Sequence, residues 1–248
     1  MNASCVVLII LGIIFVLILI FGLPRKKSIR RPNIEGLDNP DVAKAFEKMT
    51  NILPFKILRK KVLNQIKKLE PKGRLIDVGC GSGNLIVEIA ETFPHLELTG
   101  VDISSEILKF AKERAKKNGY IERIDFKEGT VESLPFPDDS IDFIVSSLSL
   151  HHWLHPINAF QEFFRILKKD GMALIFDFRR DARKIFYGLF TFATKVVVPK
   201  ALKQVNEPLG SIQSSYTPAE IKQLYIKNSF FNFKIKPFLA WMFIIINK

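Results

Sequence analysis

Residues 75–83 read Leu-Ile-Asp-Val-Gly-Cys-Gly-Ser-Gly, and Thr99-Gly100-Val101-Asp102 closes the next apolar run. Alternating glycines after a buried-strand pattern let the chain turn sharply and bring bare backbone against a ligand, with a helix starting behind it. That is the pattern of a nucleotide pocket. A pyrophosphate fingerprint needs G-x-G-x-x-G. Here the glycines are Gly79, Gly81 and Gly83, and Asn84 stands where the last glycine belongs. The dinucleotide fingerprint is therefore incomplete. Asp77 offers a carboxylate at the loop's edge, and Asp102 ends a second strand where a carboxylate can accept from both hydroxyls of a ribose.

A second cluster of reactive side chains lies in Ser146-Ser147-Leu148-Ser149-Leu150-His151-His152-Trp153-Leu154-His155-Pro156, which holds three of the four histidines. As polar lining they would border a ligand, and one would cap the next helix. As a general base, His151 or His152 would take a proton from an acceptor. No metal site is expected, because no cysteine is near and adjacent histidines diverge in most conformations.

With Asp77 ahead of it, the glycine segment resembles motif I of the class I S-adenosylmethionine (AdoMet) dependent methyltransferases. Gly129-Thr130-Val131-Glu132-Ser133-Leu134-Pro135-Phe136 is similar to the family's segment that closes over adenine, with Thr130 where an aspartate is usual. Phe163 to Ile175 is similar to its helix, turn and fifth strand, with Gly171 at the turn. The resemblance covers roughly residues 72–178. It implies AdoMet as cofactor, with Asp77, Gly79, Cys80, Gly81, Gly83, Asp102, Ile103, Thr130, Val131 and Ser146 around it and no metal. The threonine is a weaker acceptor than a carboxylate for the adenine amino group. A nicotinamide-dependent oxidoreductase on the same architecture is disfavoured by the missing third glycine, and a non-enzymatic protein keeping a degenerate cofactor fold is supported by Thr130 alone.

The elements that position these residues follow from periodicity. Short apolar runs alternate with amphipathic stretches: strands at 74–78, 96–101, 123–128, 141–146 and 172–177, helices at 84–93, 105–118 and 157–168. Such alternation predicts a parallel sheet with right-handed crossovers. A helix from Thr217 and strands at 230–236 and 239–246 complete an α/β, doubly wound, seven-stranded Rossmann-like sheet of order 3-2-1-4-5-7-6. Ligands bind where the first and fourth strands part. Two helices, one from Asp41 and one from Pro54, precede the first strand as a cap over the cofactor. Residues 178–215 are the least regular; their apolar stretches at 185–193 and 196–199 are read as a substrate lid lying against lipid.

Residues 5–23 carry no charge, and a helix of about 20 residues spans a ~30 Å hydrocarbon core. Residues 1–23 hold no Lys or Arg, while Arg25, Lys26, Lys27, Arg30 and Arg31 follow. The expectation is a single-pass anchor over 1–23, a solvated basic linker over 24–39, and a domain over 40–248 on the cytoplasmic side. The formal charge of +12 is spread over helix faces without a compact basic and aromatic motif, so membrane headgroups, not nucleic acid, are the expected partner. The acceptor is then a hydrophobic small molecule. Cys5 and Cys80 are the two cysteines, and no disulfide framework is expected.

Overall fold

The computed structural model describes residues 3–18, 22–33, 36–227 and 232–248. Its helices are α1 (Ala3–Leu17), α2 (Pro40–Thr50), α3 (Leu53–Lys67), α4 (Asn84–Thr92), α5 (Ser105–Lys117), α6 (Pro156–Ile166), α7 (Lys184–Phe192), α8 (Lys200–Gln204), α9 (Leu209–Ser214) and α10 (Pro218–Lys227). The strands are β1 (Arg74–Val78), β2 (Glu97–Asp102), β3 (Ile124–Glu128), β4 (Ile141–Ser147), β5 (Leu167–Phe178), β6 (Phe233–Pro237) and β7 (Trp241–Asn247). They form one sheet of order β3-β2-β1-β4-β5-β7-β6. β1 to β5 are parallel, and β7 runs antiparallel to β5 and β6.

The central strands are apolar at nearly every position because both faces are covered. Ile76, Ile144, Ile175 and Ile244 point into one core with α6 and α10. Leu75, Phe143, Val145, Leu174 and Phe176 point into the other with α3 and α4. The fifth strand begins earlier than its apolar run. Leu167 already pairs with Ile141, and the register jumps so that Phe143 faces Met172, which makes the expected turn at Gly171 an irregularity inside β5.

Three expectations outside the sheet change. The 178–215 segment is helical, with α7 passing into a π turn at Ala193–Val197 and then into α8 and α9. The helix at the N-terminus is described over 15 residues. Among the described residues no helix is long and apolar enough to cross a membrane. The predicted span includes residues 19–21, which lie outside the described residues.

The linker is not a solvated tether. Arg183 Nη1 donates to Leu23 O at 2.7 Å, Lys184 N to Pro24 O at 3.0 Å and Lys26 N to Ala182 O at 2.9 Å. Arg180 Nε donates to Ser28 O at 2.8 Å, and Arg31 N to Gln213 O at 3.1 Å. Its backbone satisfies polar groups on the 178–215 segment, an outcome that its aperiodic composition does not encode.

Candidate active site

The glycine loop is stitched to the second strand: Gly79 N and Cys80 N both donate to Val101 O, at 2.8 and 3.0 Å. Gly79 and Gly81 have φ of +72° and +54°, values that L side chains resist. A β-carbon at Gly79 would also strike the Ser149 side chain. Phe46 of α2 lies over Gly81, 3.7 Å from where a β-carbon would sit, so the expected cap covers the loop. Arg114 of α5 fixes that cap, with Nε donating to Ser82 O at 2.9 Å and Nη2 to Glu47 Oε1 at 2.8 Å.

Two carboxylates sit under the loop. Asp102 accepts from Gly81 N at 2.8 Å on one oxygen and from Ser104 N at 3.1 Å on the other. Burial raises its pKa, and these backbone bonds hold it back. Spare lone pairs remain for ligand hydroxyls. Asp77 ends β1 with both oxygens buried and no hydrogen-bond partner among the described residues. Burial, then the charge of Asp102, pushes its carboxyl up to about 8. A buried, partnerless carboxylate beside another is a site that a cationic ligand group would relieve. The Cys80 thiol is pushed well above its usual range by burial and by both carboxylates, so it serves as a small wall residue rather than a nucleophile.

One cavity of about 540 Å³ joins this end to the histidine segment. Asp77, Gly79, Cys80, Gly81, Asp102, Ile103, Thr130, Val131, His151 and His152 all line it. Gly83 and Ser146 do not. Gly83 starts α4 and is kept small by packing, since a β-carbon there would lie 3.0 Å from the Ala111 backbone. Ser146 is fully buried and donates to Val78 O at 2.8 Å, tying β4 to β1; Ser147 and Ser149 reach the wall instead. The Thr130 segment is held by Arg165 and Glu162: Glu162 Oε1 accepts from Leu134 N at 2.7 Å, and Arg165 Nη1 donates to Phe136 O at 3.0 Å.

His151 is backed by a residue that sequence reasoning missed. Its Nδ1 lies 2.7 Å from Asp177 Oδ1, and its backbone N donates to Asp177 Oδ2 at 2.7 Å. The carboxylate places the ring proton on Nδ1 and leaves Nε2 with its lone pair. That Nε2 is buried and has no partner among the described residues, and His151 lines the cavity. A carboxylate, a histidine and an open nitrogen make a general base. The signal was a lone Asp in the apolar run Leu174 to Phe178, at the edge where ligands bind.

His152 does not diverge from His151. The short 3₁₀ turn Leu150–His152 brings the ring centroids to 4.0 Å. Burial and the neighbouring His151 hold the His152 pKa well below the usual histidine range, and its Nδ1 donates to Asn33 O at 3.3 Å. It reads as neutral lining. His155 stands at the N-terminus of α6 but makes no side-chain capping bond. Of residues 178–215, Phe178, Glu207, Pro208 and Ser211 line the cavity, and the apolar 185–199 stretch does not. Glu207 carried no sequence signal.

A family model described as Methyltransferase domain matches residues 69–227. The chain belongs to the class I AdoMet-dependent methyltransferases. It is similar to a ubiquinone/menaquinone biosynthesis C-methyltransferase, UbiE, of Geotalea daltonii, 29% identical over 161 residues, covering 64% of this chain and 68% of that protein. It is also similar to a demethylmenaquinone methyltransferase of Bacteroides fragilis, 26% identical over 185 residues, covering 73% and 74%. Among solved structures it shares the fold of a candidate S-adenosyl-L-methionine-dependent methyltransferase of Methanococcus maripaludis, with a TM-score of 0.66 at 21% identity, over 90% of this chain and 97% of that one. This methyltransferase is therefore an AdoMet enzyme, neither a nicotinamide oxidoreductase nor a protein with only a degenerate cofactor fold.

Proposed function

We propose that the enzyme transfers a methyl group from AdoMet to a carbon or hydroxyl of a hydrophobic, quinone-like small molecule at a membrane surface. The observation that carries this reading is His151: its open Nε2, backed by Asp177, shares one cavity with the glycine loop and its two carboxylates. An acceptor already acidic enough to react unaided would need no such base. Phe46, Phe55, Trp153, Leu154 and Phe178 supply apolar wall, and the names of the relatives from Geotalea and Bacteroides support a quinone-type acceptor.

The residues present fit AdoMet. The orphaned Asp77 carboxylate would take its ammonium, Asp102 its ribose hydroxyls, and Ile103, Thr130 and Val131 its adenine, while bare backbone at Gly79 and Gly81 makes room. When bound it supplies a methyl group activated on a sulfonium. Most of the remaining work is orientation in walls that exclude water. His151 Nε2 receives the acceptor's hydroxyl proton, and Asp177 stabilises the imidazolium that results.

The membrane reading rests on two apolar faces that the chain stitches together. α1 exposes Ile10, Leu11, Ile13, Ile14, Phe15 and Leu17, and the α7 region exposes Leu189, Phe192, Val196 and Val197. The carbonyls of Leu23 and Pro24 accept from the Arg183 side chain and from Lys184 N, so the chain just after α1 meets the start of α7. Lys26, Lys27, Lys184 and Lys195 flank these faces and would favour an anionic leaflet.

The test is methyl-labelled AdoMet with full-length protein in vesicles containing reduced demethylmenaquinone. Label in the quinone fraction, abolished by His151→Ala and retained at least in part by His152→Ala, is the expected result. Label confined to thiol or amine acceptors would overturn the assignment.

A further inference from the structure

The acceptor end of the cavity holds a carboxylate that the reaction so far leaves unused. Glu207 is 2% exposed and lines the cavity. Its Oε2 accepts from Ser211 Oγ, one turn along, and its Oε1 accepts from Asn33 Nδ2 at 2.6 Å. Burial pushes the Glu207 carboxyl above its ordinary value, while Ser211, the nearby His151 and Asn33 pull it back. A charged group in such a place is costly, and an apolar side chain of similar size would cover the cavity more cheaply. The carboxylate is thus maintained by purpose-placed donors.

The second donor comes from the far side of the sequence. Asn33 belongs to the segment that precedes α2, and its Nδ2 also donates to Val205 O at 3.1 Å, while its carbonyl accepts from His152 Nδ1 at 3.3 Å. Gly210 leaves room for it, since a β-carbon there would collide with the Asn33 amide. Three residues earlier, Arg30 Nη2 donates to His151 O at 3.0 Å and Nε to Ser214 O at 2.6 Å, with its guanidinium 4.2 Å above the Tyr216 ring. The same short strap therefore touches the backbone of His151, the ring of His152 and the carboxylate of Glu207.

We propose that Glu207 is the second acid–base group of the acceptor site and that Asn33 is its positioning residue, so that the N-terminal strap is part of the site. The role rests on the methyl-transfer reading above. Methylation of a ring carbon requires two proton transfers. The hydroxyl O–H bond breaks toward His151 Nε2, and its electron pair, passed through the ring, would form the carbon–methyl bond while the pair of the methyl's former bond stays with its donor. Once the ring carbon carries the methyl group, its C–H bond breaks: the proton forms an O–H bond on Glu207, the electron pair restores the ring, and the oxygen regains its proton from His151. One proton in all is left on Glu207 and passes to solvent. His151 and His152 share the cavity wall with Glu207 from the turn after β4, Ser211 bonds it from α9 and Asn33 from the strap, with Arg30 on the His151 carbonyl and Asp177 behind the His151 ring.

Two measurements test this. In the first, the infrared band of the protonated Glu207 carboxyl is assigned by its loss in Glu207→Gln and titrated in wild type, Asn33→Ala and Ser211→Ala, without any acceptor. Loss of either donor moves the midpoint upward by about one pH unit, and an unmoved midpoint in a variant that still binds AdoMet overturns the coupling. In the second, full-length protein methylates reduced demethylmenaquinone in phosphatidylglycerol vesicles. The acidic limb of kcat shifts upward in Asn33→Ala by the same amount and raising the pH restores turnover, while Glu207→Gln turns over slowly at every pH with AdoMet affinity within about twofold. Recovery at high pH would not follow from a merely structural defect. A wild-type acidic limb in Asn33→Ala, or wild-type turnover in Glu207→Gln, overturns the acid–base role. Failure of every variant and of wild type to methylate the probe counts against the acceptor assignment, and the infrared titration still decides the Asn33–Glu207 coupling.

Discussion

Asp77 and Asp102 lie under one loop, yet the protein treats them differently. Asp102 is paid attention by two backbone donors, whereas Asp77 has none. Since the Asp77 carboxyl rises to about 8 when folded from about 3.9 when unfolded, the native state binds the extra proton. Its stability contribution is intact below pH 4 and is lost as pH rises through 8. Without cofactor, Asp77→Asn should raise stability at pH 8 by several kcal/mol and change it little at pH 4, while greatly weakening AdoMet binding; urea denaturation at both pH values, with calorimetry, checks the pair. Asp102→Ala should weaken AdoMet binding by about 2 kcal/mol or more, because ribose hydroxyls lose a charged acceptor and Gly81 N loses its anchor. Unchanged affinity in calorimetry would remove Asp102 from the site. Both aspartates were legible because each stands at the end of an apolar run. Gly83 and Ser146 lie outside the cavity wall, and spacing alone does not separate a glycine packed on Ala111, or a serine bonded to Val78, from one facing a ligand.

Elements carry the next layer of information. The seven strands and their order could be read because apolar runs between amphipathic helices leave few topologies. Two places could not. In β5 the polar Lys168-Lys169-Asp170 masks early pairing with β4, which only the neighbouring strand reveals. In the 178–215 segment, the apolar stretch from Ile185 to Val198 shows no clean period, because one side packs on Phe178 while Leu189 and Phe192 remain exposed. The cap helix offers a prediction that belongs to this scale. α2 is joined to the glycine loop and to α5 through Arg114, so Arg114→Ala should leave the sheet intact while letting α2 lift from Gly81. AdoMet affinity should fall by about 1–2 kcal/mol, the range for a charge-assisted bond whose loss also loosens a wall. Isothermal titration with circular dichroism as the fold control measures it, and full affinity would mean that α2 is held by its apolar contacts alone.

At the scale of the whole molecule, the segment before α2 departs most from its sequence pattern. An aperiodic basic segment between an apolar helix and a domain reads as a tether, because nothing in Pro24 to Asn33 announces that its backbone will pair with α7, α9 and the His151 turn. Its partners lie more than a hundred residues away, and contacts at that separation leave no local pattern. The consequence is that the apolar N-terminal helix and the strap are separable by truncation. Deleting residues 1–22 keeps Leu23, Arg30 and Asn33 in place, so AdoMet affinity should stay within about twofold, as expected for sites without shared partners. A water-soluble short-chain acceptor should then be methylated at the wild-type rate, and an acceptor dissolved in vesicles more slowly, because tethering no longer raises its local concentration. Deleting residues 1–33 instead removes the Asn33 donor to Glu207 and the Arg30 donors to His151 O and Ser214 O. Both acceptors should then be methylated slowly while AdoMet still binds. Initial rates for the two truncations on the two acceptors separate address from architecture: equal rates for both truncations on the soluble acceptor would show that the strap contributes nothing to the site, and equal rates for full-length and 1–22-deleted protein on vesicles would remove the case for an acceptor that must be reached from the membrane.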